Sequence, residues 1–202
     1  MGKRIGFIKG IRYRNAFVYN FLMLLKYRNN QNLRYKIVAE YIKPGDSVID
    51  FCSGDGGLEK FLPYGCFYTG VEASPEFTSM LLKKNIKCHM TNLHNGLSIS
   101  NLESDICVML ISLCQFRSTS VDSLLDSLKT VARRVVILEK VAKKKVSEES
   151  FIYRMNHYLC ATDYYIMVQE FTTEEFKKIM ERHGYKSKEY PGGYVTGCYN
   201  KV

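Results

Sequence analysis

Residues 48–58 read Val-Ile-Asp-Phe-Cys-Ser-Gly-Asp-Gly-Gly-Leu, and this stretch decides the fold class. Its apolar start is typical of a buried strand, and Gly54, Gly56 and Gly57 predict a tight turn that leads into a helix. Glycines in such a turn let a ligand approach the backbone, and a helix N-terminus presents free N–H groups. The alternative interpretation is a strand–helix turn that binds no ligand.

The spacing of these glycines separates several classes of nucleotide site. A nicotinamide or flavin site requires a third glycine in the pattern G-x-G-x-x-G. If Gly54 and Gly56 are the first two, the third position is occupied by Glu59. A phosphate-binding loop ending in Gly-Lys-Ser or Gly-Lys-Thr does not occur either. The sequence therefore argues against a dinucleotide site and against a P-loop.

Apolar runs alternate with helical patterns along most of the chain, which predicts right-handed crossovers and a parallel sheet. The linker Pro191-Gly192-Gly193 permits only antiparallel pairing of the last two runs because it is so short. Ser74 is a predicted N-cap with Pro75 behind it, and Thr172 or Thr173 is predicted to cap the last helix. The predicted strands are Ser47–Phe51, Phe67–Glu72, Ile86–Met90, Asp105–Ile111, Arg134–Val141, Tyr185–Tyr190 and Tyr194–Asn200, and the predicted helices cover residues 14–27, 33–42, 75–84, 121–131 and 174–183.

The basic charge lies entirely at the front of the chain. The formal net charge of the 202 residues is +9, but residues 1–39 hold nine Lys or Arg and no acid, which leaves 20 basic and 20 acidic residues elsewhere. Lys and Arg with interleaved Tyr and Phe suit an RNA-contacting surface. They equally suit an anionic lipid surface, an anionic small substrate, or a solvated cover over a ligand. These alternatives stay open.

The composition is that of a globular chain, with 46% hydrophobic and 24% charged residues. We divide it into a basic N-terminal helical extension, residues 1–43, and a ligand-binding domain, residues 44–202, in which residues 142–170 form a possible lid. Seven cysteines without a C-x-x-C pair indicate a reducing compartment and predict no metal site. The apolar run 16–25 is too short to span a bilayer. We expect a cytoplasmic protein, and the oligomeric state stays open.

An acidic residue follows the glycine turn at a characteristic distance. Glu72 ends the second predicted strand, 22 positions after Asp50. An acid at that place can accept both hydroxyls of a ribose in nucleotide-binding alternating folds. A glutamate at the end of a strand can also be a solvated residue or a helix cap, but its combination with the glycine turn favours the ribose role.

Over roughly residues 33–200 the chain resembles the class I S-adenosylmethionine-dependent methyltransferases. The resemblance rests on the lead-in 44–50, the loop 54–56, Glu72, the acid-led fourth strand from Asp105, and the last helix with its hairpin. It implies a Rossmann-like seven-stranded sheet of order 3-2-1-4-5-7-6, with the last strand antiparallel and helices on both faces. It also implies S-adenosylmethionine as the cofactor and methyl transfer, which we expect to act on a small molecule. The alternatives are an RNA-binding protein or RNA methyltransferase, and a non-catalytic cofactor-binding subunit.

The same resemblance implies the roles of individual residues. The methionine end of the cofactor would meet Asp50 and the 52–56 backbone, and the adenine would follow the third strand. Cys52 stands where the family usually has a glycine, and this small side chain would fit there if its φ angle is negative. Asn92 replaces an aspartate and would offer its amide oxygen to the adenine amine. The implied cofactor residues are Asp50, Cys52, Ser53, Gly54, Asp55, Gly56, Glu72, Ala73, Asn92, Leu93, Ile111 and Ser112.

The acceptor is expected beyond the C-terminal ends of the fourth and fifth strands. Segment 142–170 would cover it as a lid, or pack on the sheet as an extra helix. His157 is a candidate general base, although a lone histidine is more often a structural or exposed residue. The predicted helix 14–27 would cover the cofactor cleft, with Tyr13 and Arg14 near the cofactor carboxylate. The candidate acceptor-site residues are therefore Tyr13, Arg14, Gln115, Glu139 and Tyr153, with no catalytic residue assigned beyond His157.

Overall fold

The structure is a computed structural model that describes residues 32–95, 103–117, 121–142 and 170–201. The predicted helix over residues 14–27 and nearly all of the predicted lid lie outside the described residues. So do four of the candidate side chains, namely Tyr13, Arg14, Tyr153 and His157. None of the helices formed by the described residues is long and apolar enough to cross a bilayer.

The described elements follow the predicted alternation of strands and helices. In chain order they are α1 (Leu33–Ala39), β1 (Ser47–Phe51), β2 (Phe67–Glu72), α2 (Pro75–Lys83), β3 (Lys87–Met90), β4 (Ser104–Leu110), α3 (Val121–Val131), β5 (Ala132–Lys140), α4 (Thr173–Arg182), β6 (Lys186–Tyr190) and β7 (Tyr194–Asn200). Short 3₁₀ helices lie at Gly57–Phe61, Leu93–Asn95 and Leu113–Phe116.

The strands form one seven-stranded sheet of order β3-β2-β1-β4-β5-β7-β6. Strands β1 to β5 pair in parallel, whereas β7 lies antiparallel between β5 and β6. The register of β5 with β7 runs from Arg134 opposite Asn200 to Lys140 opposite Tyr194. The predicted strand order and the central position of β7 are therefore confirmed.

The helix starts follow the predicted capping chemistry. The side chain of Ser74 accepts a hydrogen bond from the Phe77 N–H, and Pro75 occupies the first helical position. Thr172, and not Thr173, caps α4, because Thr172 and Glu175 form a reciprocal capping box. Two of the four orphan N–H groups at that helix start are satisfied in this way.

Each face of the sheet carries its own apolar layer. On one face, Ile37 and Val38 of α1 pack with alternate residues of the central strands, including Val48 and Val108. On the other face, α3 and α4 bury a second cluster against the intervening residues of the same strands. Since β1 to β5 are parallel, their carboxyl ends share one edge of the sheet. That edge collects the segments after β1, β2, β3, β4 and β5.

The element that follows the glycine loop differs from the predicted one. The glycine loop does not lead into an α-helix, because residues Gly57–Phe61 form only a short 3₁₀ helix. Leu62 behind it is extended, with φ −70° and ψ 143°. The next residue is Pro63, and a proline disfavours the helical conformation in the residue before it. The helix predicted here from the glycine turn was wrong.

Candidate functional site

The loop after β1 is a tight turn built from left-handed residues. Cys52, Gly54 and Gly56 have φ values of 59°, 56° and 71°. A Cβ on Gly56 would lie 2.5 Å from the side chain of the buried Leu81, so this position also requires glycine for space. The condition that the φ of Cys52 be negative is not met. The chain reverses its direction directly after β1, and this requires the left-handed conformation at Cys52. For a residue with a side chain that conformation costs about 1–2 kcal/mol, and such strain is typical of functional sites.

Asp50, at the end of β1, is a buried carboxyl with one occupied oxygen. The Tyr68 hydroxyl donates to its Oδ2 at 2.6 Å. Its Oδ1 is buried and has no hydrogen-bond partner among the described residues. The pKa of Asp50 is raised to about 7, mainly by burial, which outweighs the lowering effect of the Tyr68 hydrogen bond. The charge of Glu72 adds to the rise, and that of Arg34 opposes it.

A second unpartnered atom lies close to this carboxyl. The Ser53 hydroxyl is buried without a hydrogen-bond partner in the described part of the chain. It lies against Gly70 of β2, where a Cβ would come within 2.7 Å of the hydroxyl oxygen. Gly70 is also the residue opposite Asp50 in the β1–β2 register. Unsatisfied buried acceptors are rare in folded proteins, so this pair indicates a place where a ligand donates hydrogen bonds.

Glu72 ties the glycine loop to the end of β2. Its Oε2 accepts from the Gly54 N–H at 2.8 Å, and its Oε1 accepts from the N–H groups of Ala73 and Ser74 at 2.9 Å each. Burial raises the pKa of Glu72, although these three backbone hydrogen bonds lower it. A carboxylate has about four acceptor positions, so roughly one remains for a ribose hydroxyl. The ribose role stays a prediction.

The turns after β3 and β4 meet through a ring stack. The rings of His94 and Phe116 lie 4.5 Å apart at an interplanar angle of 24°. The Asn92 side-chain oxygen accepts from the His94 N–H at 3.0 Å, and Leu93 between them is buried. Burial lowers the pKa of His94. The adenine contacts predicted for Asn92 and Leu93 are not tested by this arrangement, but one acceptor position of the amide oxygen is already occupied.

The turn after β4 contains the predicted methyl-donor residues. Ile111 has φ 53°, which is a strained conformation for a β-branched side chain. Its N–H donates to the Leu138 carbonyl at 2.6 Å, and the Ser112 hydroxyl donates to the Leu110 carbonyl at 3.0 Å. The backbone strain at Ile111 places a sharp corner at this edge of the sheet.

The side chain of Glu139 stabilises the turn after β4 by hydrogen bonds to its backbone. Its Oε1 accepts from the N–H groups of Leu113 at 2.5 Å and Cys114 at 3.4 Å, and its exposed fraction is 1%. Burial raises the pKa of Glu139 to about 8, and the backbone hydrogen bonds only partly oppose this. The prediction that Glu139 contacts the acceptor stays a prediction, and the structure shows that its Oε1 already accepts from the backbone of the turn. Gln115 lies in the same turn and is half-buried.

Sequence reasoning missed the residues that surround Asp50 from β2 and α1. Tyr68 was recognisable, because the period-2 alternation of paired strands places it on the same sheet face as Asp50. Tyr35 gave no such signal, and its hydroxyl lies 2.4 Å from the place of a Cβ on Gly57. Arg34 donates to that hydroxyl at 2.7 Å. Among the described residues, no cluster of three His, Cys, Asp or Glu is suited to a metal ion.

The comparisons with known proteins agree on the fold. A family model described as "Methionine biosynthesis protein MetW" matches residues 32–140. No curated protein matches the sequence. A methyltransferase from Thermotoga maritima, described as a possible histamine N-methyltransferase, superposes with a TM-score of 0.65 at 15% identity, over 96% of this chain and 100% of that one. DhpI bound to S-adenosylhomocysteine superposes with a TM-score of 0.70 at 12% identity, over 94% of this chain and 93% of that one. A methyltransferase from Aquifex aeolicus superposes with a TM-score of 0.60 at 14% identity, over 90% of this chain and 98% of that one. The chain thus has the class I methyltransferase fold.

Proposed function

We propose, given that this chain belongs to the family of the methionine biosynthesis protein MetW, that it binds S-adenosylmethionine and transfers its methyl group to a small-molecule acceptor. The observation that carries the proposal is the pair of unpartnered buried atoms, Asp50 Oδ1 and Ser53 Oγ, beside the left-handed glycine loop. A ligand with a hydrogen-bond-donating cationic end matches this chemistry, and the methionine end of S-adenosylmethionine carries an ammonium group.

The remaining contacts of the cofactor would follow the order of the strands. Glu72 has an acceptor position for a ribose hydroxyl, and the segment of Asn92 and Leu93 would meet the adenine. Bound there, S-adenosylmethionine supplies an electrophilic methyl group on a sulfonium. The chain's own contribution is to align that methyl with the acceptor and to exclude water. The rigid turn of Ile111 and Ser112, supported by Glu139, suits this positioning role.

The names of two structural neighbours support a small acceptor. One structural neighbour is described as a possible histamine N-methyltransferase. Another neighbour is the human N-acetylserotonin methyltransferase in complex with S-adenosylmethionine. Both names refer to small amines or amides. In this chain the acceptor would lie near Gln115, at the carboxyl end of β4, together with Tyr153 of the predicted lid.

Two measurements test the proposal in sequence. Calorimetry with S-adenosylmethionine and S-adenosylhomocysteine is expected to show binding, whereas NAD is expected to give no heat. Asp50→Leu removes both carboxyl oxygens at similar volume, and we expect it to weaken both ligands by at least about tenfold, the loss of a charged partner. Incubating extracted metabolites with the methyl-labelled cofactor then identifies the acceptor by mass spectrometry. Absence of binding to wild type at millimolar concentration would contradict the proposal.

A second candidate is a cofactor-binding subunit that transfers no methyl group alone. Two titratable side chains at the carboxyl edge of the sheet favour it, because both are engaged in structural contacts. The Glu139 carboxyl accepts from the backbone, and the His94 ring is stacked on Phe116. One structural neighbour is a methyltransferase in complex with the Trm112 activator protein. Cofactor binding without label transfer, followed by transfer once cell extract protein is added, would favour this candidate over the first.

A further inference from the structure

The two edges of the sheet differ in how they are protected. An edge strand presents backbone N–H and C=O groups with which another strand can pair, and charged side chains discourage such pairing. At the β6 edge, three of the five residues are exposed and charged, namely Lys186, Lys188 and Glu189. Strand β3, at the opposite edge, carries only one charged side chain, Lys87, at its first position. The β3 edge is therefore the one that is open to pairing.

The backbone of β3 has hydrogen-bonding groups on its outer side. Within the described part of the chain, β3 pairs with β2 alone. The Thr91 N–H donates to the Glu72 carbonyl at 2.9 Å, so the N–H of this residue points towards β2. In a parallel pair every second residue bonds to the neighbouring strand. The N–H and C=O groups of Cys88 and Met90 therefore point away from β2, at the spacing that an added strand requires.

Two exposed apolar side chains border this edge. Met90 is 63% exposed, and Leu82 of α2 is 57% exposed. The Cys88 Sγ lies 4.0 Å from the Thr78 hydroxyl oxygen, so the face of β3 that carries Cys88 and Met90 is the one that packs on α2. Leu82 lies on the same side of α2 as Thr78, since the two are four positions apart. Met90 and Leu82 are therefore placed to contact the side chains of an added strand.

The charge beside this edge is positive. Residues 77–95 contain Lys83, Lys84 and Lys87 and no Asp or Glu. Lys83 and Lys87 are exposed, and the Lys84 ammonium donates to the Asp55 carbonyl at 2.6 Å. Pairing β3 with the β3 of a second copy would bring these cations together, and like charges across an interface oppose binding. The charge therefore favours an acidic partner over a second copy of this chain.

We propose that β3 binds an extended, acidic segment of a partner protein by strand addition. Alternate apolar side chains of the segment contact Met90 and Leu82 on the α2 face. Asp or Glu side chains between them lie on the opposite face, where Lys87 projects because it precedes Cys88 by one position. Main-chain hydrogen bonds provide the affinity in this mode of recognition, and the side chains provide the selectivity. The proposal is independent of methyl transfer, because none of these residues is assigned to the cofactor or to the acceptor.

A labelled peptide and the full chain test the proposal by fluorescence anisotropy. The probe is fluorescein-labelled Thr-Val-Asp-Val-Glu-Val-Thr, and we expect saturable binding with a dissociation constant below about 1 mM. The same peptide N-methylated throughout keeps its side chains but cannot donate strand hydrogen bonds, so it should bind at least about tenfold more weakly. Lys87→Glu should lower the affinity for the probe at least about tenfold. Lys186→Glu, the same change on the β6 edge, is the matched control and should keep the wild-type affinity.

Amide hydrogen exchange locates the peptide on wild type without any substitution. We expect exchange of the Cys88 and Met90 N–H groups to slow at least about tenfold when the peptide saturates the chain, and exchange in β6 to stay unchanged.

Four results would each overturn the proposal. They are absence of peptide binding, equal binding of the N-methylated peptide, protection of β6 instead of β3, and equal losses of affinity in Lys87→Glu and Lys186→Glu. None of these measurements involves S-adenosylmethionine, so a negative result leaves the proposed function intact.

Discussion

The replacement Glu139→Gln tests the buried carboxyl that supports the turn after β4. The amide keeps an oxygen that accepts from the Leu113 and Cys114 N–H groups, but it cannot ionise. In the folded protein burial raises the pKa of Glu139 from 4.5 to about 8. Glu139 therefore contributes its full stability below pH 4.5, and this contribution is lost as the pH rises towards 8.

The magnitude follows from proton linkage. Each pH unit in this window changes the free energy of unfolding by about 1.4 kcal/mol, so the whole window is worth on the order of 5 kcal/mol. Since Asp50 and Glu72 are present in both proteins, their titrations cancel in the difference. The variant is expected to match wild type near pH 4.5 and to exceed its stability increasingly up to pH 8.

Urea unfolding at a series of pH values measures this difference. Far-ultraviolet circular dichroism is the suitable probe, because the chain has no tryptophan. Glu181→Gln, which makes the same substitution at an exposed glutamate of α4, is the matched control. A difference between Glu139→Gln and wild type that stays constant from pH 5 to pH 8 would refute the assignment of Glu139 as a neutral, buried carboxyl.

The remaining predictions concern the cofactor site and the helix packing. Glu72→Ala should weaken binding of S-adenosylmethionine by about 1–3 kcal/mol through loss of a charged acceptor; an unchanged dissociation constant in calorimetry would contradict the ribose role. Gly56→Ala should cost about 2–4 kcal/mol in urea unfolding, because left-handed strain adds to the clash with Leu81. Gly45→Ala, with positive φ but open space, should cost only the strain, and equal losses would argue against the clash. His183→Ala should destabilise the protein by about 1–2 kcal/mol, since both ring nitrogens contact aspartates of α3. An unfolding free energy equal to that of wild type, at low and at high salt, would exclude this contribution.

The sequence by itself determined the order and the kind of most elements. The bounds of β1, β2 and β7 agree with their predicted ranges, and Ser74 caps α2 as expected. These features depend on neighbours within a few residues, such as alternation along a strand or a cap bonding three positions ahead. The sheet order came from the sequence of motifs and the resemblance they carry, because crossover handedness leaves few alternatives once the strands are known.

Only the tertiary structure decided how the side chains at the site are used. Glu139 bonds the turn at Leu113, 26 positions away, and Tyr68 bonds Asp50 from the neighbouring strand, 18 positions away. Such partners meet because the parallel strands end at one edge of the sheet. No local sequence pattern predicts that the Glu139 carboxyl accepts from the backbone whereas Asp50 keeps an oxygen without a partner among the described residues. The left-handed Cys52 has the same origin, since the loop must return between β1 and β2 within a space set by both strands and by Leu81 of α2.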